Sequence, residues 1–595
     1  MSTHEARLAA LREQMKKQEL TGFIVPICDE HMSEYIGNYA QRLEWLTGFG
    51  GSAGTAVVMA ESAAIFTDGR YTIQVRDQVD GRHYDYVGIA DQSVTAWLGD
   101  HAREGDVIGY DAWLHTRAFV TALEKALAKK GARAVAVESN PIDAVWADQP
   151  ERSDAPMVVH PAEFAGKSAE DKRNDVAEWL KTEGHDAVIV SALDSVAWLF
   201  NVRGDDVLHT PVALSYALVH QDGSADLFVA PKKLTDAVRA HLGNKVAVHD
   251  YVAFPSALAE LTGKSVAVDP ERAVAAIFQT LTDAGAQISE KRDPTVLAKA
   301  VKNDTEVSGH RSAQARDGAA LSRFLHWFSV EAPKGGQDEL SVAARLQQFR
   351  EDTGALKDLS FDTISGASSN GAICHYRVSE ETNLPITMNS LYLVDSGGQY
   401  LDGTTDVTRT MAVGEPTAEM RKRFTQVLQG HIALACAIFP KGTTGGQLDA
   451  LARQYLWADG VDYAHGTGHG VGSYLGVHEG PQRIASFGGM NEPLVPGMIC
   501  SNEPGYYKTD EYGIRIENLV LVEERAVEGA EQSMLGFDTL TFAPIDRTLI
   551  EVVMLSKAQL GWVNRYHKKV MQVVGPQLEG EALAWLTAAC APLGE

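Results

Sequence analysis

Four carboxylates and a pair of histidines stand where a rigid frame can present them. Asp395 closes the strand-like run LYLVD, and Asp406 lies beyond the turn QYLDG, where an antiparallel return brings the two carboxylates together. Glu503 closes a second run, MICSNE, and Glu517 lies in the returning run GIRIENLVLV, so a second hairpin offers two more. Arg515 and Glu517 are two apart; on one continuous strand they share a face, which suits an arginine clamping a buried carboxylate cluster. Singly, each acid reads as an ordinary turn residue or strand edge. Converging, they repel by several kcal/mol in a low-dielectric site unless cations neutralise them, and two divalent ions roughly 3.5 to 4 Å apart are the natural solution. One imidazole of HGTGHGVG, which carries His465 and His469 among glycines, completes such a set. The absence of cysteine from it selects Mn²⁺, Co²⁺, Fe²⁺ or Zn²⁺.

Competing motifs fail on their spacing. HGTGHGVG does not fit GxGxxG, because Val471 or Ser473 stands where the third glycine belongs. GGSAG matches GxSxG around Ser52, but the nucleophile motif needs a strand before it and a helix after, whereas the strand-like TAVVMA follows at once. HExxH is absent, and the glycines between His465 and His469 keep them from stacking on a helix.

The elements around these residues form a repeat followed by a different kind of region. Ser2 and Thr3 offer caps to a helix with Leu8, Leu11 and Met15 at helical spacing, followed by the strand TGFIVP. The same order returns with Ser168 and Asp171 as a capping-box-like start, Val176, Trp179 and Leu180 on the helix, and the strand HDAVIVSALD. Each copy then reaches a Trp-Leu pair and glycines, WLTGFGGSAG and WLFNVRGDD, and further strands, TAVVMA with AAIFTDGRY and ALSYALV with ADLFVA. Two related α/β domains, joined near NPIDAVWADQPERSDAP, are expected. A helix-rich opening from DPTVLAKAVKNDTEVSGHRS leads into the strands and glycine turns that hold the acids. The tail carries amphipathic helices, SKAQLGWVNRYHKKVMQVV and GEALAWLTAAC, expected to pack against a neighbour or a second subunit.

The totals agree. A chain of 595 residues exceeds one hydrophobic core, and 45% hydrophobic with 22% charged residues is a globular composition. No apolar run is long enough for a membrane helix, and the amino terminus lacks the pattern of a signal peptide, so a cytoplasmic protein is expected. A formal net charge of −26 disfavours nucleic-acid and anionic-membrane partners. The five scattered cysteines, Cys28, Cys374, Cys436, Cys500 and Cys590, read as free and mostly buried thiols.

The order Asp395, Asp406, His469, Glu503 and Glu517, in DGTTD, HGTGHG, NEPGYY and GIRIEN, resembles the five-ligand site of the pita-bread metallopeptidases, peptidase family M24. Through GFGGSAGTA, FTDGRY, WLFNVRG, HYRVSEETN, HGTGHGVGSYLGVHEGP and GIRIENLVLVE, the chain is similar to the long, three-domain cytosolic Xaa-Pro aminopeptidases of that family. The resemblance implies an α/β (α+β) architecture: creatinase-like domains at 1–155 and 156–300, a pita-bread catalytic domain at 301–535 and a carboxy-terminal helical extension at 536–595. It implies a homodimer with two divalent ions per subunit, manganese ahead of cobalt, zinc or iron. Asp395 then chelates one ion, Asp406 and Glu517 contact both, His469 binds one, and Glu503 binds metal and handles protons. His375, His465 and His478 line the substrate pocket and act in catalysis, Arg70 reaches toward the peptide, and Arg515 and Tyr507 hold the metal carboxylates. Cys374 before His375 and the turn SGGQ depart from the family pattern without removing a functional side chain.

The implied activity is hydrolysis, by water activated at a dinuclear metal centre, of the bond between any amino-terminal residue and a penultimate proline. That bond is a tertiary amide with no N–H to donate, so a pocket shaped for the ring sets the specificity. A prolidase-type Xaa-Pro dipeptidase is the rival reading, and a non-enzymatic binding protein on the same scaffold a more distant one.

Overall fold

The first helix forms where its spacing predicts. In the computed structural model, which describes residues 3–486 and 492–594, Thr3 accepts a hydrogen bond from the amide of Ala6, and Leu8, Leu11 and Met15 are buried along the helix His4–Lys17. Ser2, the other candidate cap, lies outside the described residues. The second copy starts on Ser168, which accepts from the amide of Asp171; the Asp171 carboxylate in turn accepts from the Ser168 hydroxyl at 2.7 Å. That return bond goes to the side chain and not to the cap's backbone N–H, so the capping box expected here is only half formed.

Two compact units divide the chain: Met1–Ala162 with Lys167–Val296, and Glu163–Gly166 with Leu297–Glu595. The first unit contains the repeat as two six-stranded sheets. In space the first sheet runs Asp85–Gly88, Ala63–Thr67, Thr55–Met59, Gly22–Pro26, Val107–Tyr110, Arg133–Ala136. The second runs Val246–His249, Ala225–Val229, Ser215–His220, Ala187–Val190, Ser265–Val268, Gln287–Glu290. Ranked by sequence, both have the order 4-3-2-1-5-6, with the same antiparallel and parallel neighbours. Side chains of a strand alternate between faces, and the first sheet is buried on both. Phe23, Val25, Val58 and Ile65 enter one core, and Ile24, Val57, Ala64 and Phe66 enter another. Both Trp-Leu pairs lie in short helices stopped by a left-handed residue, Gly48 after Arg42–Thr47 and Asn201 after Leu193–Phe200.

GGSAG is a turn leading into the strand Thr55–Met59, and the Ser52 hydroxyl is shared between Tyr71 at 2.8 Å and Glu34 at 3.0 Å. A helix, Arg42–Thr47, precedes it and a strand follows, the reverse of the order the nucleophile motif needs, in keeping with a glycine-rich turn.

The second unit opens with the helix Asp304–Glu331, capped by Asn303 and Glu306 in a full capping box. A three-stranded sheet sets Ser390–Ser396 between Ile364–Ala367 and Val407–Val413. A six-stranded sheet runs Ile438–Pro440, Met534–Thr539, Asn518–Arg525, Ile499–Asn502, Gly468–Gly470, Glu479–Ile484. The tail helices Lys557–Val573 and Gly580–Ala589 turn their apolar faces inward: Val563, Tyr566, Val570 and Leu586 join the core that holds Ile514 and Ile516. The neighbour that covers them is this unit itself. All five cysteines are free thiols; Cys374, Cys500 and Cys590 are buried, Cys28 is partly buried and Cys436 is exposed.

Candidate metal centre

The first hairpin does what its sequence predicts. Ser390–Ser396 pairs antiparallel with Val407–Val413, with Asp395 opposite Thr408 and Ser396 opposite Val407, so Asp406, one residue before its strand, arrives beside Asp395. The turn SGGQ is forced by crowding: a Cβ on Gly397 would lie 1.9 Å from the carbonyl oxygen of Thr405.

The second pair of acids is built differently from the expectation. GIRIENLVLV is not one strand: Tyr512–Arg515 pairs with Gly505–Lys508, and Asn518–Arg525 pairs with Ile499–Asn502. Glu517 occupies the corner between the two ladders, where its amide donates to the carbonyl of Thr408 at 3.2 Å and that of Ile516 donates to Pro504 at 3.3 Å. Arg515 and Glu517 therefore do not share a strand face, yet the arginine does clamp the carboxylate cluster, through Asp395. Its Nη2 donates to Asp395 Oδ2 at 2.7 Å, its Nη1 to the Tyr507 oxygen at 2.6 Å and its Nε to Thr408 Oγ1 at 3.1 Å. The Thr408 hydroxyl in turn donates a hydrogen bond to Glu517 Oε2 at 2.7 Å. Thr408 was not among the expected site residues, although it stands two positions after Asp406 and period-2 alternation would have found it.

His469 occupies the three-residue strand Gly468–Gly470, and its glycines are there for close approach. A Cβ on Gly468 would meet the Ser501 carbonyl at 2.1 Å, and one on Gly470 the Glu479 carbonyl at 2.1 Å. The Nδ1 of His469 lies 2.9 Å from the Gly470 carbonyl, which can only accept, so the ring proton sits on Nδ1. Nε2 is left facing Asp406 Oδ2 and Glu503 Oε1, both at 3.4 Å. A lone pair opposed to two carboxylates is a poor arrangement by itself and a good one around a cation, and donation from the other ring nitrogen to a carbonyl is how metal-binding imidazoles are oriented.

The acids tell the same story. Ligand atoms of Asp406, His469 and Glu517 lie within 4.8 Å of one another. Asp395 Oδ1, Asp406 Oδ1 and Glu517 Oε1 are buried and receive no hydrogen bond. Burial, reinforced by the Asp395 and Glu503 charges, drives the Asp406 carboxyl well above the usual carboxylate range; burial, with Asp406, Asp395 and Glu503, does the same to Glu517. Oxygen-rich, crowded and short of donors, this set fits divalent cations.

Three other histidines were expected nearby. His478 packs edge-on against His469 with ring centroids 4.3 Å apart, and His375 lies 6.4 Å from His478, so both adjoin the centre. His465 is buried; its Nδ1 lies 2.8 Å from the Gly466 carbonyl and its Nε2 2.8 Å from the Tyr507 hydroxyl. Burial pushes the Tyr507 phenol well up, so it keeps a proton to donate to Nε2 while accepting from Arg515. A chain of contacts thus runs from Asp395 through Arg515 and Tyr507 to His465. Arg70 belongs to the first unit, where its guanidinium is held by Asp68 at 2.8 Å and approaches Glu34 at 3.5 Å. Beside His478, Glu479 is buried against Lys299 at 2.9 Å and Lys302. No local pattern signals this triad, because Glu479 lies far along the chain from the two lysines.

Comparisons with known proteins agree with this architecture. The profile of metallopeptidase family M24 matches residues 308–524, that of the C-terminal region of peptidase M24 matches 533–593, and two creatinase/prolidase N-terminal domain profiles match 7–145 and 148–306. A probable Xaa-Pro aminopeptidase P of Talaromyces marneffei is 41% identical, over 99% of this chain and 92% of its own. One from Paracoccidioides brasiliensis is 41% identical over 99% of each chain. Among solved structures, the X-prolyl aminopeptidase of Caenorhabditis elegans, described as a cytosolic enzyme with a di-nuclear active site, is 35% identical, covers 100% of both chains and superposes with a TM-score of 0.94. An Xaa-Pro dipeptidase from Bacillus anthracis, 22% identical over 64% of this chain and 99% of its own with a TM-score of 0.52, shares the fold. With creatinase-type domains ahead of its catalytic region and full-length relatives at this identity, the chain belongs to metallopeptidase family M24.

Proposed function

We propose that this chain is a two-metal aminopeptidase that hydrolyses the bond between the amino-terminal residue of a peptide and a penultimate proline. The observation that carries the reading is the acidic cluster around His469: Asp406 and Glu517 are buried, each keeps an oxygen with no donor, and their ligand atoms lie within 4.8 Å of one another and of the imidazole. The names of the full-length relatives and the di-nuclear site of the solved one support the substrate class and the metal count.

Asp395, Asp406, His469, Glu503 and Glu517 would hold the two ions, with manganese, the metal the family resemblance implies, compatible with their oxygen-rich set. When bound, the two cations lower the pKa of water toward neutrality and polarise the scissile carbonyl. Glu503 accepts from Ser501 on Oε1 at 3.1 Å, which leaves Oε2 to take the proton of the attacking water and return it to the departing proline nitrogen. His478 and His375 adjoin the centre as donors to the developing oxyanion and to the substrate. His465, both ring nitrogens engaged, lines the substrate side with its ring and stiffens Tyr507. The reading takes 1–155 and 156–300 as the creatinase-like domains, 301–535 as catalytic and 536–595 as an extension, supported by the family matches. It includes a homodimer in the cytoplasm; the solved relative is described as cytosolic, and among the described residues no helix is long and apolar enough to cross a membrane.

The test is hydrolysis of an Arg-Pro-Pro tripeptide by protein stripped with a chelator and then reloaded. Arginine release is expected only after a divalent ion is restored. Full activity after exhaustive chelation, or cleavage confined to Xaa-Pro dipeptides, would overturn the reading.

A further inference from the structure

The segment that carries His375 has little regular structure of its own. Between the strands Ile364–Ala367 and Ser390–Ser396, only the turn Ser368–Ala372 is helical. One carboxylate gathers it. Glu339, first residue of the helix Glu339–Glu351, is 0% exposed. Its Oε1 accepts from the amide of Ala367 at 2.6 Å. Its Oε2 accepts from the amide of Leu384 at 2.9 Å, from Asn370 Nδ2 at 3.0 Å and from the Tyr376 hydroxyl at 2.8 Å. These donors come from both ends of the segment and from its middle. A buried carboxylate is costly unless its lone pairs are filled, and here the loop fills them, so loop conformation and carboxylate burial depend on each other.

Tyr376 follows His375 directly in the chain. Its ring is buried with Ile364 and Leu393, and its hydroxyl, which accepts from Asn370 Nδ2 at 2.8 Å and lies 2.9 Å from Thr382 Oγ1 and 3.0 Å from the Thr382 carbonyl, is within 2.8 Å of Glu339 Oε2, so the backbone next to His375 is fixed at both ends of that side chain. His375 in turn lies 6.4 Å from His478, which packs against His469. A shift of the segment is a shift of His375 relative to the acidic cluster, and misplacement of a reacting or binding group by about 1 Å costs on the order of a hundredfold in rate.

We propose that Glu339 is a positioning residue for the peptidase reaction, acting through Tyr376 to hold His375 against His478 beside the metal centre. The inference rests on the aminopeptidase reading. Tyr376→Phe keeps the ring in its pocket and removes the hydroxyl; His375→Ala removes the group being positioned. Both, and the double variant, are assayed as kcat and KM for Arg-Pro-Pro, with metal content measured on the same samples.

Tyr376→Phe is expected to lower kcat/KM about tenfold, the usual scale for one hydrogen bond to a charged partner, with metal content unchanged. That loss is expected to vanish in the His375→Ala background, because nothing remains to be positioned. Glu339→Gln shows the same pattern, and Tyr376→Phe carries the test if that variant does not fold. Losses that multiply in the double variant, or no loss from Tyr376→Phe, would overturn the inference while leaving the aminopeptidase reading intact. Failure of the wild-type protein to cleave the peptide would sink both.

Discussion

Arg515 shows how much of this centre depends on one side chain's shape. Its guanidinium donates to Asp395 at 2.7 Å, to Tyr507 at 2.6 Å and to Thr408 at 3.1 Å, and through these it orients two of the acids and His465. Lysine carries the same charge but cannot span three partners in a plane. Arg515→Lys is therefore expected to weaken metal binding by roughly 10- to 100-fold, the usual cost of disturbing groups that orient metal ligands. Metal titration of the variant against wild type checks this, and equal affinities would contradict the role given to the fork. The types of the site residues were legible in the sequence because each stands in a short motif at a strand end or glycine turn. Thr408 was legible only through its period-2 spacing from Asp406, and the Lys299–Lys302–Glu479 triad was not legible, because ion pairs across the fold leave no local pattern.

The strands around the centre differ in how far local sequence determined them. The Asp395–Asp406 hairpin was readable because turn and strands are contiguous, and pairing register follows from them. The corner at Glu517 was hidden because apolar alternation continues straight through GIRIENLVLV. What breaks the strand is competition from outside it, the carbonyls of Thr408 and Pro504 capturing the amides of Glu517 and Ile516. The tail helices were readable as amphipathic, but which surface covers them is a property of the folded unit. Glu479 adds a second kind of support: it adjoins His478, its strand pairs with that of His469, and it is buried between two lysines. Removing its charge strands two buried ammonium groups, a loss of about 3 to 5 kcal/mol. Glu479→Gln is expected to lower stability by that amount in denaturant unfolding; a change below about 1 kcal/mol would mean that the lysines find other partners.

At the scale of the molecule, the repeat read from helix, strand and Trp-Leu order is present as two sheets of identical strand order, because each copy's local signals specify the same pairings. The second unit adds a pH dependence of its own. His310 and His567 are fully buried, and burial pulls them from the ordinary 6.5 down to about 3 and about 4. Their pKa values are depressed by folding, so the unfolded chain takes up both protons first. The stability they support is intact above pH 6.5 and is lost as the pH falls toward their folded values, at about 1.4 kcal/mol per pH unit for each histidine. Denaturant titrations between pH 6 and pH 4 are expected to show this decline, and a flat profile would contradict it. The account as a whole turns on whether the acids around His469 hold catalytic metal, which is most directly measured as metal content and Arg-Pro-Pro turnover of Asp406→Asn beside wild type. The account predicts metal lost from the variant and turnover down roughly a hundredfold or more. Metal content and turnover equal to wild type would contradict it.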